Sequence, residues 1–376
     1  MTAPKARSIF GEAAIDRMVT QIIAATGSDT NDDLIRNLIV TVLDMDAGGL
    51  SRLELKIASQ ALVEMLNGAR VFGQDPERAK CTVFGSARTA AHEPNYELAA
   101  EFCRLIVQRE WMIISGAGPG VMQAAIEGAG VENSYGVNIV LPFEADAIDL
   151  IVNDSKLATF KYFFTRKLYF MKESDAFVLM PGGFGTLDEC FELLTLMQTG
   201  KSYPAPIVLL DEPKSTYWNG FKRFIHEELQ AAGSIGPTDT GLYLHTHSAE
   251  EAAEFVSHFY SAYHSIRYVG KHLIVRMNQE ITDTSLAALN IEFRDILLEG
   301  TISRSGPTKS ETRDQDHLAL PRLRMTFNNR SFARLHEMIR MINDLASEGR
   351  APARRGLVHD VGPDPEDFVE DDSPAF

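Results

Sequence analysis

At 376 residues the chain exceeds one typical domain, and two or three folding units are expected. Its 45% hydrophobic and 23% charged residues are ordinary for a soluble globular protein, while a formal net charge of −16 argues against a nucleic-acid partner, whose binders need a concentrated basic face. Cys81, Cys103 and Cys190 are odd in number, widely spaced and without a C-x-x-C pair, so neither a disulfide framework nor a zinc site follows from them. Each is expected to fill a small apolar gap in a reducing compartment, with Cys190 within reach of a thiol label. No apolar run has signal-peptide or membrane-spanning length, and the expectation is a cytoplasmic protein with neither a membrane nor a nucleic-acid partner.

In chain order, apolar residues recur at helical spacing over Glu12–Ala25, Asp32–Asp46 and Ser51–Phe72, predicting a helical N-terminal extension, residues 1–75. From Cys81 the pattern alternates. Strands are predicted at Cys81–Phe84, Trp111–Ile114, Tyr135–Leu141, Ala176–Met180 and Pro206–Leu210. Helices are predicted at Tyr96–Gln108, Val121–Gly128, Lys161–Lys172, Leu187–Gln198, Tyr217–Ala231 and Ala249–His264. Strands alternating with helices predict an α/β fold, a Rossmann-like doubly wound parallel sheet, over residues 76–265. A small α+β unit follows over 266–349: a strand at Arg267–Met277, a helix at Asp283–Leu298, strands at Thr301–Ser303 and Leu320–Phe327, and a helix at Ser331–Leu345. That βαββα order is most of a ferredoxin-like unit. Dimerisation or regulatory ligand binding would suit it. Residues 350–376 carry seven acidic residues between Asp360 and Asp372 and read as an acidic disordered tail.

The parallel sheet places three glycine-bearing loops on one edge: Gly85–Ser86, Gly116-Ala-Gly118-Pro-Gly120, and Pro181-Gly182-Gly183-Phe184-Gly185-Thr186. The second and third open helices, whose first N–H groups lack intrahelical partners and favour an anion such as a phosphate monoester. The plainer reading of the third loop is structural, since Thr186 and Glu189 form a T-x-x-E capping box. Three glycines in four positions at the end of a parallel strand exceed what a cap requires. There is no G-x-G-x-x-G with an acidic residue ending the next strand, which disfavours a dinucleotide site, and no G-x-x-x-x-G-K-[ST] loop for nucleoside triphosphates. In the aromatic helix Lys161–Lys172, Arg166 shares a face with Tyr162 and Phe170. It is either half-buried core or an overhang that brings a cation and the rings of Phe163 or Phe164 to the same edge.

Phe84-Gly-Ser-Ala-Arg88, Gly118-Pro-Gly-Val-Met122, Phe164-Thr-Arg-Lys167 and Pro181 to Glu189 together resemble the LOG ("lonely guy") proteins, long mislabelled lysine decarboxylases. The resemblance runs from about Cys81 to His264 and points to an extended bacterial branch. One departure is Ala117, where the second loop usually has glycine; a positive φ there would strain the loop and weaken phosphate binding. The resemblance implies a Rossmann-like homodimer or higher homo-oligomer that hydrolyses the N-glycosidic bond of nucleoside 5′-monophosphates, AMP-like or cytokinin ribotides, without a cofactor or metal. It implies Arg166 and Glu189 as the catalytic pair. Gly182, Gly183, Gly185 and Thr186 would bind the phosphate, and Gly85, Ser86, Gly116, Gly118, Gly120, Met122 and Lys167 would complete the substrate site. Glu192, one helical turn beyond Glu189, is expected on a solvated face. Rival readings are a pyridoxal-phosphate decarboxylase using Lys161 or Lys167, and a nucleotide or molybdenum-cofactor carrier without catalysis.

Overall fold

A computed structural model describes residues 12–27, 31–141 and 147–346; the acidic stretch beyond residue 350 lies outside them. By compactness the chain divides between Leu66 and Asn67. The first unit holds α1 (Glu12–Thr26), α2 (Asp32–Ala47) and most of α3 (Arg52–Phe72). Arg36 Nη2 donates to Thr20 Oγ1 at 2.7 Å, tying α2 to α1. Ser51 and Glu54 form a reciprocal capping box that starts α3, the Ser51 N–H donating to Glu54 Oε2 and the Glu54 N–H to Ser51 Oγ.

The second unit opens with β1 (Lys80–Phe84), α4 (Pro94–Val107), β2 (Met112–Ser115), α5 (Val121–Ala129), β3 (Ser134–Ile139), β4 (Leu157–Phe160) and α6 (Phe163–Lys172). It continues through β5 (Ala176–Leu179), α7 (Phe184–Thr199), β6 (Ile207–Leu210), α8 (Tyr217–Phe224), β7 (Tyr243–Thr246) and α9 (Ala249–His258). The seven strands pair in parallel in the order β4-β3-β2-β1-β5-β6-β7. The sheet is thus Rossmann-like and doubly wound, as the alternation predicts. Two of its strands, β4 and β7, are absent from the sequence reading. Both are four-residue edge strands only partly buried, so neither carries a continuous apolar run.

Period-two alternation sends neighbouring residues to opposite faces of the sheet. Val83, Ile113, Val178 and Val208 enter one core beneath α4, α5 and α9, whereas Phe84, Ile114, Phe177 and Leu209 enter a second with residues of α6, α7 and α8. Cys81 and Cys103 are buried in the first. The strand order reverses between β1 and β5, so the loops following those two strands lie side by side at the topological switch point. Ligands bind there in open α/β sheets.

The first core continues into a four-stranded antiparallel sheet, β10-β11-β9-β8, made of β8 (Tyr263–Val269), β9 (His272–Met277), β10 (Leu297–Ser305) and β11 (Arg322–Phe327). It carries α10 (Asp283–Glu292), α11 (Lys309–Asp314) and α12 (Phe332–Ala346). The expected single strand Arg267–Met277 is instead a hairpin. Val269 pairs with His272 across a two-residue Gly270–Lys271 turn, Gly270 having φ +55°. The order is therefore ββαβαβα rather than the ferredoxin-like βαββα. Only one glycine separates the two strand-forming runs, which hides the turn.

Candidate active site

The three loops meet through backbone contacts. The Ser86 N–H donates to the Pro181 carbonyl at 3.1 Å, and the Ser86 carbonyl accepts from the Val121 N–H at 3.0 Å. Ser86 Oγ accepts from the Arg88 N–H, closing the first loop on itself. These approaches explain most of the glycines. A Cβ at Gly120, which has φ +70°, would sit 2.3 Å from the Ser86 carbonyl oxygen, and one at Gly85 would meet Val121 at 2.6 Å. One at Gly182 would meet Thr186 Oγ1 at 2.1 Å. Met122 folds back over Gly116 and Gly118, where an added Cβ would lie 2.5 Å from its sulfur and 2.7 Å from its methyl, respectively. Gly183 and Gly185 differ: nothing lies within 4 Å of a Cβ at either, and both are exposed. The predicted glycines thus fall into a group that lets the loops touch and a pair that leaves open space over the start of α7.

That helix begins three residues earlier than expected. Gly183 is its N-cap, with no side-chain capping bond, so Thr186 lies inside the first turn and the predicted Thr186–Glu189 capping box does not form. Glu189 instead turns inward and is 7% exposed. Its Oε2 is buried and accepts no hydrogen bond among the described residues; the Lys167 ammonium stands 3.8 Å away. Burial raises the Glu189 carboxyl to about 7, with Lys167 and Arg166 opposing that shift and Glu192 and Asp188 adding to it.

Helix α6 presents both cations to this carboxylate. Arg166 Nε donates to the Val137 carbonyl at 2.8 Å and Nη2 to the Gly116 carbonyl at 3.4 Å, and its guanidinium lies over the Phe170 ring. Burial lowers it to about 10, opposed by Glu189. Lys167 Nζ contacts Asp188 at 2.8 Å and Glu192 at 2.6 Å. Burial alone would lower the ammonium, but these hydrogen bonds raise it. A lysine held so firmly charged is unsuited to Schiff-base chemistry, which needs a depressed pKa. Glu192 is therefore no idle surface residue, since it anchors Lys167 beside Glu189. Phe163 and Phe164 remain about half exposed, Phe164 stacking with Tyr162.

Ala117 has φ +58° and is fully buried, so the strained conformation anticipated for this position is present. Cys190 is also fully buried and pushed to about 12 by burial, so it is not within reach of a label. Tyr217 adds a contact that sequence reasoning does not reach: its hydroxyl donates to the Gly182 carbonyl at 2.8 Å, bracing the glycine turn from α8.

The family described as possible lysine decarboxylase matches residues 120–256. The cytokinin riboside 5′-monophosphate phosphoribohydrolase of Mycobacterium tuberculosis is 30% identical over 160 residues, 40% of this chain and 80% of that relative. The chain belongs to the LOG family. The Arabidopsis thaliana LOG1 phosphoribohydrolase is 37% identical over 86 residues, 23% of this chain and 38% of that protein. A rice LOG4 relative is 29% identical over 145 residues, 37% of this chain and 60% of that protein. Among solved structures, the molybdenum cofactor binding protein of Rippkaea orientalis is 19% identical with a TM-score of 0.34, over 47% of this chain and 94% of that one. The molybdenum cofactor carrier protein of Chlamydomonas reinhardtii is 21% identical with a TM-score of 0.33, over 47% and 94%. The matched family region runs from the start of α5 into α9 and takes in β3 to β7 and the third loop. The N-terminal helices and the antiparallel sheet fall outside the matched family region.

Proposed function

We propose that the chain hydrolyses the N-glycosidic bond of nucleoside 5′-monophosphates, AMP-like or cytokinin ribotides, to free base and ribose 5-phosphate. The observation that carries this reading is Glu189, a buried carboxylate one turn inside the start of α7 with an oxygen that accepts no hydrogen bond among the described residues. Such a group is costly to fold and is kept where a ligand completes it. The phosphate lies over Gly183 and Gly185 against the first N–H groups of α7, with Gly182 and Thr186 shaping the turn. The ribose then faces Glu189. Breaking the C1′–N bond builds positive charge on the sugar, its electron pair leaves with the base, and water adds at C1′. Glu189, poised near neutrality, offsets that charge or takes the water's proton.

Arg166 pairs with Glu189 as the second catalytic group, balancing negative charge on the phosphate or the departing base. Lys167 serves the substrate through the carboxylate it holds in place. Gly85, Ser86, Gly116, Gly118, Gly120 and Met122 set the floor on which the turn rests. Cytoplasmic action, a homodimer or higher homo-oligomer, and a role in cytokinin activation belong to the same proposal. The cytokinin role draws support from the names of the relatives.

The test is incubation with AMP, GMP, CMP, UMP and a cytokinin ribotide, followed by chromatography of free base and ribose 5-phosphate. Release by the native chain and a loss of about 100-fold or more in Glu189→Gln is the expected outcome. Nucleotide bound calorimetrically but never cleaved would replace the hydrolase with a binding protein.

A further inference from the structure

Outside this site, β6 and β7 bring three ligating side chains together. The register pairs Leu210 with Thr246, so Asp211, just past β6, lies beside His247, just past β7. His245 and His247 are two residues apart on an extended segment and project to the same side. Asp211 Oδ1 lies 2.9 Å from His245 Nε2 and 2.9 Å from His247 Nδ1, and all three atoms fall within 4.8 Å of one another. Donors bound to one ion at about 2.0–2.2 Å stand roughly 3–3.5 Å apart, so the two Asp–His contacts need to lengthen only slightly to accept one.

The surroundings fix the carboxylate. Asp211 is wholly buried, and its other oxygen, Oδ2, lies 3.5 Å from the Trp218 N–H donor at the start of α8. Trp218 is itself fully buried, its Nε1 donating to the Leu210 carbonyl. An outer bond of this kind orients a ligating carboxylate. His245 is nearly buried and the His247 side chain is 38% exposed, so one side of the cluster opens to solvent for entry and for water ligands. Two imidazoles and a carboxylate suit a divalent first-row transition ion rather than calcium or magnesium.

We propose that Asp211, His245 and His247 form a binding site for a divalent transition-metal ion such as zinc. The site is separate from the Glu189 chemistry and staples β6 to β7. Through Trp218 it also steadies the start of α8, from which Tyr217 braces the glycine turn.

The experiment uses the untagged full-length chain, stripped with EDTA and dialysed. Zinc is titrated calorimetrically, and cobalt(II) is followed by its visible absorption, which reports ligand type and number. The expected result is one ion per chain, a cobalt spectrum of nitrogen and oxygen ligation, and a rise in melting temperature with zinc. His247→Ala, at the most exposed ligand, and Asp211→Asn should each weaken binding by at least about tenfold and abolish the thermal shift. Near-ultraviolet circular dichroism checks that both remain folded. No zinc or cobalt binding to the native chain would overturn the site and leave a hydrogen-bonded Asp-His-His cluster. Binding that persists undiminished in a folded His247→Ala would place the ion elsewhere and overturn it equally.

Discussion

Glu189 ties activity and stability to pH in opposite senses. Its carboxyl is raised to about 7 by burial, so the ionised form needed for the proposed hydrolysis is lost as pH falls through that value. The expected profile of kcat/KM therefore rises between about pH 6 and 8 and flattens above. Stability runs the other way. A carboxyl with a folded pKa above its unfolded one contributes most below the unfolded value and loses that contribution as pH rises through about 7. Glu189→Gln should thus be more stable than the native chain at pH 8, by roughly 3 kcal/mol, and little different at pH 4. Urea denaturation at both pH values checks this; equal midpoints at pH 8 would mean the carboxylate is not strained by burial. Ala117 shows a finer balance. Its left-handed conformation costs about 1–2 kcal/mol relative to glycine, against about 0.8 for a buried methyl and 0.4–1 for the freer unfolded glycine chain. Ala117→Gly should therefore be near neutral. Ala117→Val adds bulk beside Gly136, where a Cβ would already come within 3.1 Å of the Ala117 methyl, and should cost about 2 kcal/mol or more in the same assay.

Among the elements, α7 and α8 act as a pair around the glycine turn. Tyr217→Phe leaves the Gly182 carbonyl without its hydroxyl donor while keeping the ring, and a lost hydrogen bond of about 1 kcal/mol translates to roughly a fivefold rise in KM with the fold intact. Steady-state kinetics on the best nucleotide measure it; an unchanged KM would show that the turn holds itself. The loops and helix openings were legible because glycine, proline and apolar strands signal a strand-to-helix corner in local sequence. The inward turn of Glu189 was not, because its T-x-x-E spacing fits a capping box equally well and only the earlier helix start, at Phe184, decides between them. Tyr217 escaped because its partner is a backbone carbonyl 35 residues away. His245 of β7 and His247 just past it escaped because that strand is short and only partly apolar, although H-x-H at the end of a strand is itself a readable sign. The β8–β9 hairpin hid because its turn is only two residues long, with Gly270 alone marking it.

Across the whole second unit, the parallel sheet and the antiparallel sheet share one core, and polar bonds cross between them. Tyr260 Oη, ahead of β8, donates to the Asp175 carbonyl ahead of β5 at 2.7 Å, and Asn343 Nδ2 of α12 donates to the Phe259 carbonyl at the end of α9. Within the antiparallel sheet, Glu311 is fully buried between Arg276 and Arg322, at 2.8 and 3.1 Å. Burial alone would raise its carboxyl, but the Thr308 N–H and the Arg276 guanidinium more than offset this and hold it low. Its contribution is thus present above the unfolded pKa and lost as pH falls through the folded one. Glu311→Ala takes from two buried guanidinium groups the carboxylate they share and should cost about 3 kcal/mol in urea unfolding. Because the core is shared, the candidate site should be lost in the same transition; a separate, earlier transition for the antiparallel sheet would show that the core is not cooperative. The three thiols give this unit an internal clock. Cys190 lies in α7, Cys81 in β1 and Cys103 in α4, all fully buried and with burial holding each thiol protonated. A reagent that attacks only thiolate therefore waits for the chain to open, and the order in which the three react reads which part of the unit breathes first.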